Sequence, residues 1–287
     1  MSDTAWADRW FTSEDGLRLY YRDYETPAPG RLPLICLPGL TRNSRDFESL
    51  ALRLRESRRV LSPDLRGRGR SQHDPNWRNY TPVTYVGDLA RLFDNAGIGQ
   101  MVLLGTSLGG ILSMMICATH PGRVAGVILN DIGPEVAKPG LERISSYVGR
   151  QAPVSTWEQA ARQMRDAYGI ALPDATDADW LAFARRSFTE GDGVLRLDLD
   201  PGVGEAVRAA PSGAAPDLWP LYGALHAVPV LALRGELSDV LSEATFARMV
   251  AEKPDLVRVT VSRRGHPPLL DEPQSLDAIE AFLADLP

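Results

Sequence analysis

Cysteine, histidine and positive charge are all scarce in this chain, and each shortage excludes something. The two cysteines, Cys36 and Cys117, lie far apart inside apolar stretches, so they read as buried free thiols rather than a disulfide or metal framework. With 31 Lys and Arg against 37 Asp and Glu, the chain has no global attraction for phosphate backbones or anionic lipid. Nucleic acid and membrane surfaces are therefore not expected as partners. The N-terminal MSDTAWADRW lacks a basic segment followed by an apolar one, so no secretory signal is read and a cytoplasmic protein is expected. One uncharged run, Met101 to Ala118, is long enough to raise the question of a membrane span, but Gly105, Gly109 and Gly110 divide it into a short strand, a tight turn and a helix. Internal repeats and low-complexity segments are absent.

What is present is ample core. At 287 residues and 44% hydrophobic content, the chain can build one large domain, with or without an inserted subdomain. Leu17 to Tyr24 reads as a strand of an early hairpin, and Leu32 to Leu37 as an apolar strand ending at Pro38 and Gly39. A helix carrying Phe47, Leu50 and Leu54 on one face follows, then a strand at Arg59 to Ser62 and a Gly/Arg turn. The next helix runs from Pro82 to Asn95 with Thr81 as N-cap. A strand at Met101 to Leu104, a helix at Leu108 to Thr119 and a strand at Val124 to Leu129 complete a βαβαβ rhythm, which predicts a mostly parallel sheet flanked by helices. From 135 to 217 the rhythm breaks into helix-like runs bearing Trp157, Tyr168, Trp180 and Phe183. This is read as a helical cap inserted after the sixth strand, with 1–134 and 218–287 forming the core. Alternation then resumes at Val228 to Leu233, Glu243 to Ala251, Leu256 to Val261 and Ser275 to Leu286.

Gly105-Thr106-Ser107-Leu108-Gly109 matches G-x-S-x-G, the strained strand-to-helix turn that lifts a serine hydroxyl to the top of a sheet. In a chain with 25 glycines the bare pattern arises by chance roughly once in seven sequences, so its setting between MVLL and LGGILSMMI carries the weight. A serine hydroxyl needs an imidazole to activate it, and only four are available. His120 reads as a helix C-terminal cap, and His226 precedes its strand and so lies at the wrong sheet edge. His73 could approach the cleft but comes before Ser107, whereas the base is expected after both nucleophile and acid. That leaves His266, in RRGHPPLLDEP after the last strand. Asp239, past the strand VPVLALRG, is the expected acid, with Glu236 and Asp131 as alternatives. Asp131 reads more simply as a loop carboxylate capping the turn around Gly133. The oxyanion donors are expected to be the backbone N–H groups of Leu108, at a helix N-terminus, and Leu40, in the loop LPGLT.

With LPGL, PDLRGRGRS, GTSLGG, RGELSD and GHPPLLDEP in order along the chain, the sequence resembles the α/β-hydrolase family. Two departures stand out: Pro38 sits where many relatives have His before the oxyanion-loop glycine, and the acid turn after Gly235 is one residue longer than the commoner spacing. RGRGRS itself reads as a turn with solvated arginines. Gly105 to Gly110 continues with Ile111 where a phosphate loop requires Lys, so nucleotide binding is excluded. The expected activity is hydrolysis of a small, largely apolar carboxylic ester or lactone through an acyl-enzyme on Ser107, with no metal and no organic cofactor. A carbon–carbon bond hydrolase or acyltransferase using the same triad is the alternative, and a non-catalytic ligand-binding protein a third. A small molecule is the expected partner, with a homodimer left open. Trp157, Tyr168, Trp180 and Phe183 are the candidates to line its pocket.

Overall fold

The structure, a computed structural model, describes residues 5–26, 28, 30–209 and 217–287. An antiparallel hairpin, β1 (Ala7–Thr12) and β2 (Arg18–Tyr24), opens the chain. It is followed by β3 (Leu34–Leu37), α1 (Glu48–Leu54), β4 (Val60–Pro63), α2 (Pro82–Asn95), β5 (Met101–Thr106), α3 (Leu108–Thr119) and β6 (Val124–Asn130). Helices α4 (Lys138–Tyr147), α5 (Trp157–Tyr168) and α6 (Asp177–Ser187) come next, then a hairpin, β7 (Phe188–Gly191) and β8 (Val194–Leu197), and α7 (Pro201–Ala209). The chain returns through α8 (Trp219–Gly223), β9 (Val230–Gly235), α9 (Glu243–Glu252), β10 (Val257–Val261) and α10 (Pro273–Ala284).

Eight strands form one sheet in the order β1-β2-β4-β3-β5-β6-β9-β10, antiparallel at β1-β2 and β2-β4 and parallel elsewhere. Successive residues of a strand point to opposite faces, and here both faces are dry. In β5, Met101 and Leu103 join the cluster packed by Leu89 and Phe93 of α2, Leu112 of α3 and Phe246 of α9. Val102 and Leu104 join the cluster packed by Leu50 of α1 and Ile279 and Phe282 of α10. The continuous apolar runs of β3, β5, β6 and β9 follow from this two-sided burial.

Among the described residues, the segment between β6 and α8 adds no strand to this sheet and has its own apolar cluster, including Met164, Trp180, Phe183 and Phe188. Among the described residues it carries the four helices α4 to α7 and the β7-β8 hairpin. Asp192 and Gly193 at its tip both have positive φ, 54° and 70°, the geometry that Asp-Gly favours between twisted strands. The dipeptide was the available signal for that hairpin. Part of the expected boundary near 217 falls on residues 210–216, outside the described residues.

Candidate active site

Ser107 sits between the carboxyl end of β5 and the start of α3 with φ 52° and ψ −115°, a backbone region that a non-glycine residue occupies only when its surroundings force it. The force comes from tight packing on both sides. A Cβ on Gly109 would lie 2.0 Å from the carbonyl oxygen of Leu37, and one on Gly105 would lie 2.3 Å from the backbone of Gly109. Both glycines of G-x-S-x-G are therefore steric requirements of the turn. Its other side is tied to β6, since the Ser107 N–H donates to the Asn130 carbonyl at 3.1 Å.

His266, in the loop after β10, is 4% exposed and brings Nε2 to 2.9 Å from Ser107 Oγ. Its Nδ1 lies 2.8 Å from Asp131 Oδ2 and 3.1 Å from the Asp131 carbonyl oxygen. Both neighbours of Nδ1 are acceptors, which places the proton there and leaves Nε2 to accept from the serine hydroxyl. Asn130 steadies the loop by donating from Nδ2 to the Pro268 carbonyl at 3.0 Å.

The carboxylate on His266 is thus Asp131, and the expectation that Asp239 orients the imidazole is corrected. Asp131 is fully buried at the end of β6. Its Oδ1 accepts the Gly235 N–H at 2.8 Å, and its Oδ2 accepts the Ser238 hydroxyl at 2.7 Å as well as the histidine proton. It does not act as a simple turn cap. Asp239 is taken up elsewhere: Arg143 of α4 grips both its oxygens, Nε to Oδ2 at 2.6 Å and Nη2 to Oδ1 at 2.8 Å. Glu236 accepts the Arg263 N–H at 2.8 Å. Of the remaining histidines, His73 faces Asp200 with its Nδ1 3.3 Å from Oδ2, and His120 terminates α3. Ser238, beside the expected acid, donates to Asp131 instead, and Asn130 is a support that the sequence does not mark.

Leu40 lines the cleft beside Ser107, and Leu108 opens α3. Among the described residues neither backbone N–H is used in a hydrogen bond within the chain, so both are orphan donors next to the serine. The Leu40 loop is held from below by Arg68, whose Nε donates to the Leu40 carbonyl at 3.0 Å. This corrects the reading of RGRGRS as a solvated turn. Arg68 is fully buried and Arg66 is 2% exposed, the latter locked among Asp15, Asp74 and Asp88. Only Arg70 fits the solvated reading, its side chain being half exposed. These two buried guanidiniums are compensated, Arg66 by three carboxylates and Arg68 by the carbonyls of Leu40 and Arg66 and the Tyr85 hydroxyl.

The cleft above Ser107 is narrow, with about 70 Å³ open to the centre of a water-sized sphere. Of the four cap aromatics, Tyr168 and Phe183 line it while Trp157 and Trp180 do not. Tyr168 is anchored across the cleft through its hydroxyl, 3.0 Å from Thr41 Oγ1. Trp180 is 3% exposed, packs edge-on against Phe183 and borders an adjoining cleft that shares Phe183 and Arg186 with the first. Trp180→Ala is therefore expected to destabilise the inserted segment by about 3–5 kcal/mol, through loss of a large buried ring. Thermal unfolding and limited proteolysis of that segment check it; a change in substrate preference at unchanged melting temperature would instead put the ring in the pocket. Among the described residues, no three His, Cys, Asp or Glu side chains gather as a metal-ligand set. No helix among them is long and apolar enough to cross a membrane.

These features define a class, and the comparisons agree. The family model for the alpha/beta hydrolase fold matches residues 33–185. The chain belongs to that family. A curated relative, 3-hydroxybutyrate-oligomer hydrolase from Cupriavidus necator, is 32% identical over 274 residues, 92% of each chain. A second, 2-(acetamidomethylene)succinate hydrolase from Mesorhizobium japonicum, is 30% identical over 79% of each chain. Among solved structures, an alpha/beta hydrolase from Novosphingobium aromaticivorans is similar with a TM-score of 0.92 and 46% identity, over 98% of this chain and 99% of that one.

Proposed function

We propose that this enzyme is a serine hydrolase that cleaves a small carboxylic ester or lactone through an acyl-enzyme on Ser107, beneath a cap formed by residues 135–217. The observation that carries this reading is the continuous line Asp131 Oδ2, His266 and Ser107 Oγ, with steps of 2.8 and 2.9 Å, at the floor of a cleft bordered by unused amides. Similarity to a hydrolase of hydroxybutyrate oligomers, which is named for an ester-linked substrate, supports it.

Each group then has one task. His266 Nε2 takes the proton of Ser107 as Oγ attacks the ester carbonyl, and Asp131 stabilises the resulting imidazolium without accepting its proton. The N–H groups of Leu40 and Leu108 receive the oxyanion. Collapse of the tetrahedral intermediate expels the alcohol, which leaves with the proton from Nε2. Water, activated by the same imidazole, attacks the acyl-enzyme, and the acid is released with Ser107 reprotonated.

A serine-directed fluorophosphonate is expected to add one covalent group to the folded protein, on the peptide containing Ser107. Intact-protein and peptide mass spectrometry read the result. An adduct on another residue, or none on protein shown to be folded, would overturn the assignment.

A further inference from the structure

Two arginines share the cleft with Ser107 and His266: Arg42, in the turn after β3, and Arg186, in the last turn of α6. They are not equivalent. Arg42 is buried and fully engaged, with Nε and Nη2 on the two oxygens of Asp46 at 2.7 and 2.5 Å and Nη1 on Ser187 Oγ at 2.5 Å. Arg186 has no such partner. Its Nε is buried without a hydrogen bond, and the one carboxylate within ion-pair reach among the described residues is Asp46, at 4.0 Å and already gripped by Arg42. Asp271, on the same wall, makes no ion pair with it. Burial and the neighbouring charge of Glu272 push the Asp271 carboxyl above the ordinary aspartate range, against a smaller opposite pull from Arg186 and Arg264.

The aromatic wall holds both cations in place. The Phe183 ring centroid lies 4.3 Å from the Arg42 guanidinium carbon and 5.6 Å from that of Arg186. With Asp46 taken up by Arg42 and Asp271 making no ion pair with it, Arg186 keeps an unused planar fork, the donor pattern that suits a carboxylate. The Arg186 side chain is 32% exposed at the cleft, but its Nε is buried without a partner, and a carboxylate on the ligand would supply one.

We propose that Arg186 binds a free carboxylate on the substrate, so that the ester cleaved at Ser107 carries a second, ionised acid group, as a hydroxy-acid ester or the half-ester of a dicarboxylic acid does. This rests on the hydrolase reading above and narrows its substrate class. The acid group and the scissile ester would occupy one cleft, with Arg186 setting the position of the carbonyl relative to Ser107.

The test compares matched esters that differ only in charge: 4-nitrophenyl hemiglutarate with 4-nitrophenyl glutaramate, and 3-acetoxybutanoate with 3-acetoxybutanamide. The wild type is expected to favour the carboxylate member of at least one pair by about 10- to 100-fold in kcat/KM, the scale of a charge-assisted hydrogen-bond pair. In Arg186→Gln that ratio is expected to fall to about one, and Arg186→Lys should keep part of it because charge remains while the fork is lost. No preference in the wild type, or a ratio unchanged in Arg186→Gln, overturns the proposal; a uniform loss in both members assigns Arg186 to holding α6. Failure of the hydrolase reading shows separately, as absence of the phosphonate adduct. Carboxylate binding is then read from the melting temperature, which glutarate should raise in the wild type and not in Arg186→Gln; equal shifts in the two proteins overturn it.

Discussion

Replacing Ser107 by alanine is expected to lower kcat for a good ester substrate by about 10³- to 10⁶-fold, with little change in the melting temperature. The size of the effect follows from what the hydroxyl does: without Oγ no acyl-enzyme forms, and what remains is the contribution of the Leu40 and Leu108 amides and of substrate binding. His266→Ala should lose a similar factor. Because the two side chains act as one unit across 2.9 Å, the double variant should be scarcely worse than either single one. Single-turnover kinetics on the three proteins check this. Additive losses, each multiplying the other, would mean that serine and histidine serve separate steps and that the proton path drawn here is wrong. Relief of strain at φ 52° is not expected to accompany Ser107→Ala, since alanine has no easier access to that backbone region.

The second large effect separates two aspartates. Asp131→Asn should lower kcat by about 10⁴-fold, the order expected when an imidazole loses the acceptor that fixes its tautomer. Asn offers an amide to Nδ1 in place of a carboxylate and also disturbs the Ser238 and Gly235 donors that converge on the same group. Asp239→Asn should leave turnover within about threefold and act on stability instead, because its partner is Arg143 of α4. The pair is about four-fifths buried on each side, so its loss is expected to lower the melting temperature by a few degrees, on the order of 1–2 kcal/mol. Burial alone would raise the Asp239 carboxyl, but the Arg143 pairing outweighs it and holds that carboxyl below its usual range. A depressed folded-state pKa contributes stability that is present above the ordinary aspartate value and is lost as pH falls through the depressed one. The deficit of Asp239→Asn should therefore shrink on acidification. Turnover of both variants at neutral pH, with melting curves at neutral and acidic pH, decides the matter. A crippled Asp239→Asn beside an active Asp131→Asn would return the acid to the strand from which the sequence reading drew it.

The two aspartates are hard to tell apart along the chain for a specific reason. Asp131 and Asp239 follow β6 and β9, which are neighbours in the sheet, so both carboxylates emerge near the same histidine loop. Chain order and turn composition apply almost equally to each. What separates them is a third residue, Arg143, which is 96 positions from Asp239 and belongs to the inserted segment. Nothing in RGELSD announces that its aspartate is already claimed. The same limit explains Arg66 and Arg68: three aspartates and a backbone carbonyl, brought in from separate parts of the chain, turn an exposed-looking basic run into buried supports. It also explains why Tyr168 and Phe183 reach the cleft whereas Trp157 and Trp180 do not, since a helix face is assigned by what packs against it.

The sequence by itself determined the parts whose demands are local. Pro82–Asn95 and Leu108–Thr119 have the bounds their caps and periodicity require, and Thr81 Oγ1 accepts the Thr84 N–H as an N-cap should. The nucleophile turn is legible because its glycines are required by contacts within one strand, one turn and one helix. His266 is legible because only four imidazoles exist to choose from. The tertiary structure alone decided which carboxylate meets that imidazole, which arginine is left without a partner in the cleft, and which aromatics face the substrate. Those choices are settled by distances of a few ångströms between residues as much as 145 positions apart, and no spacing rule along the chain contains them.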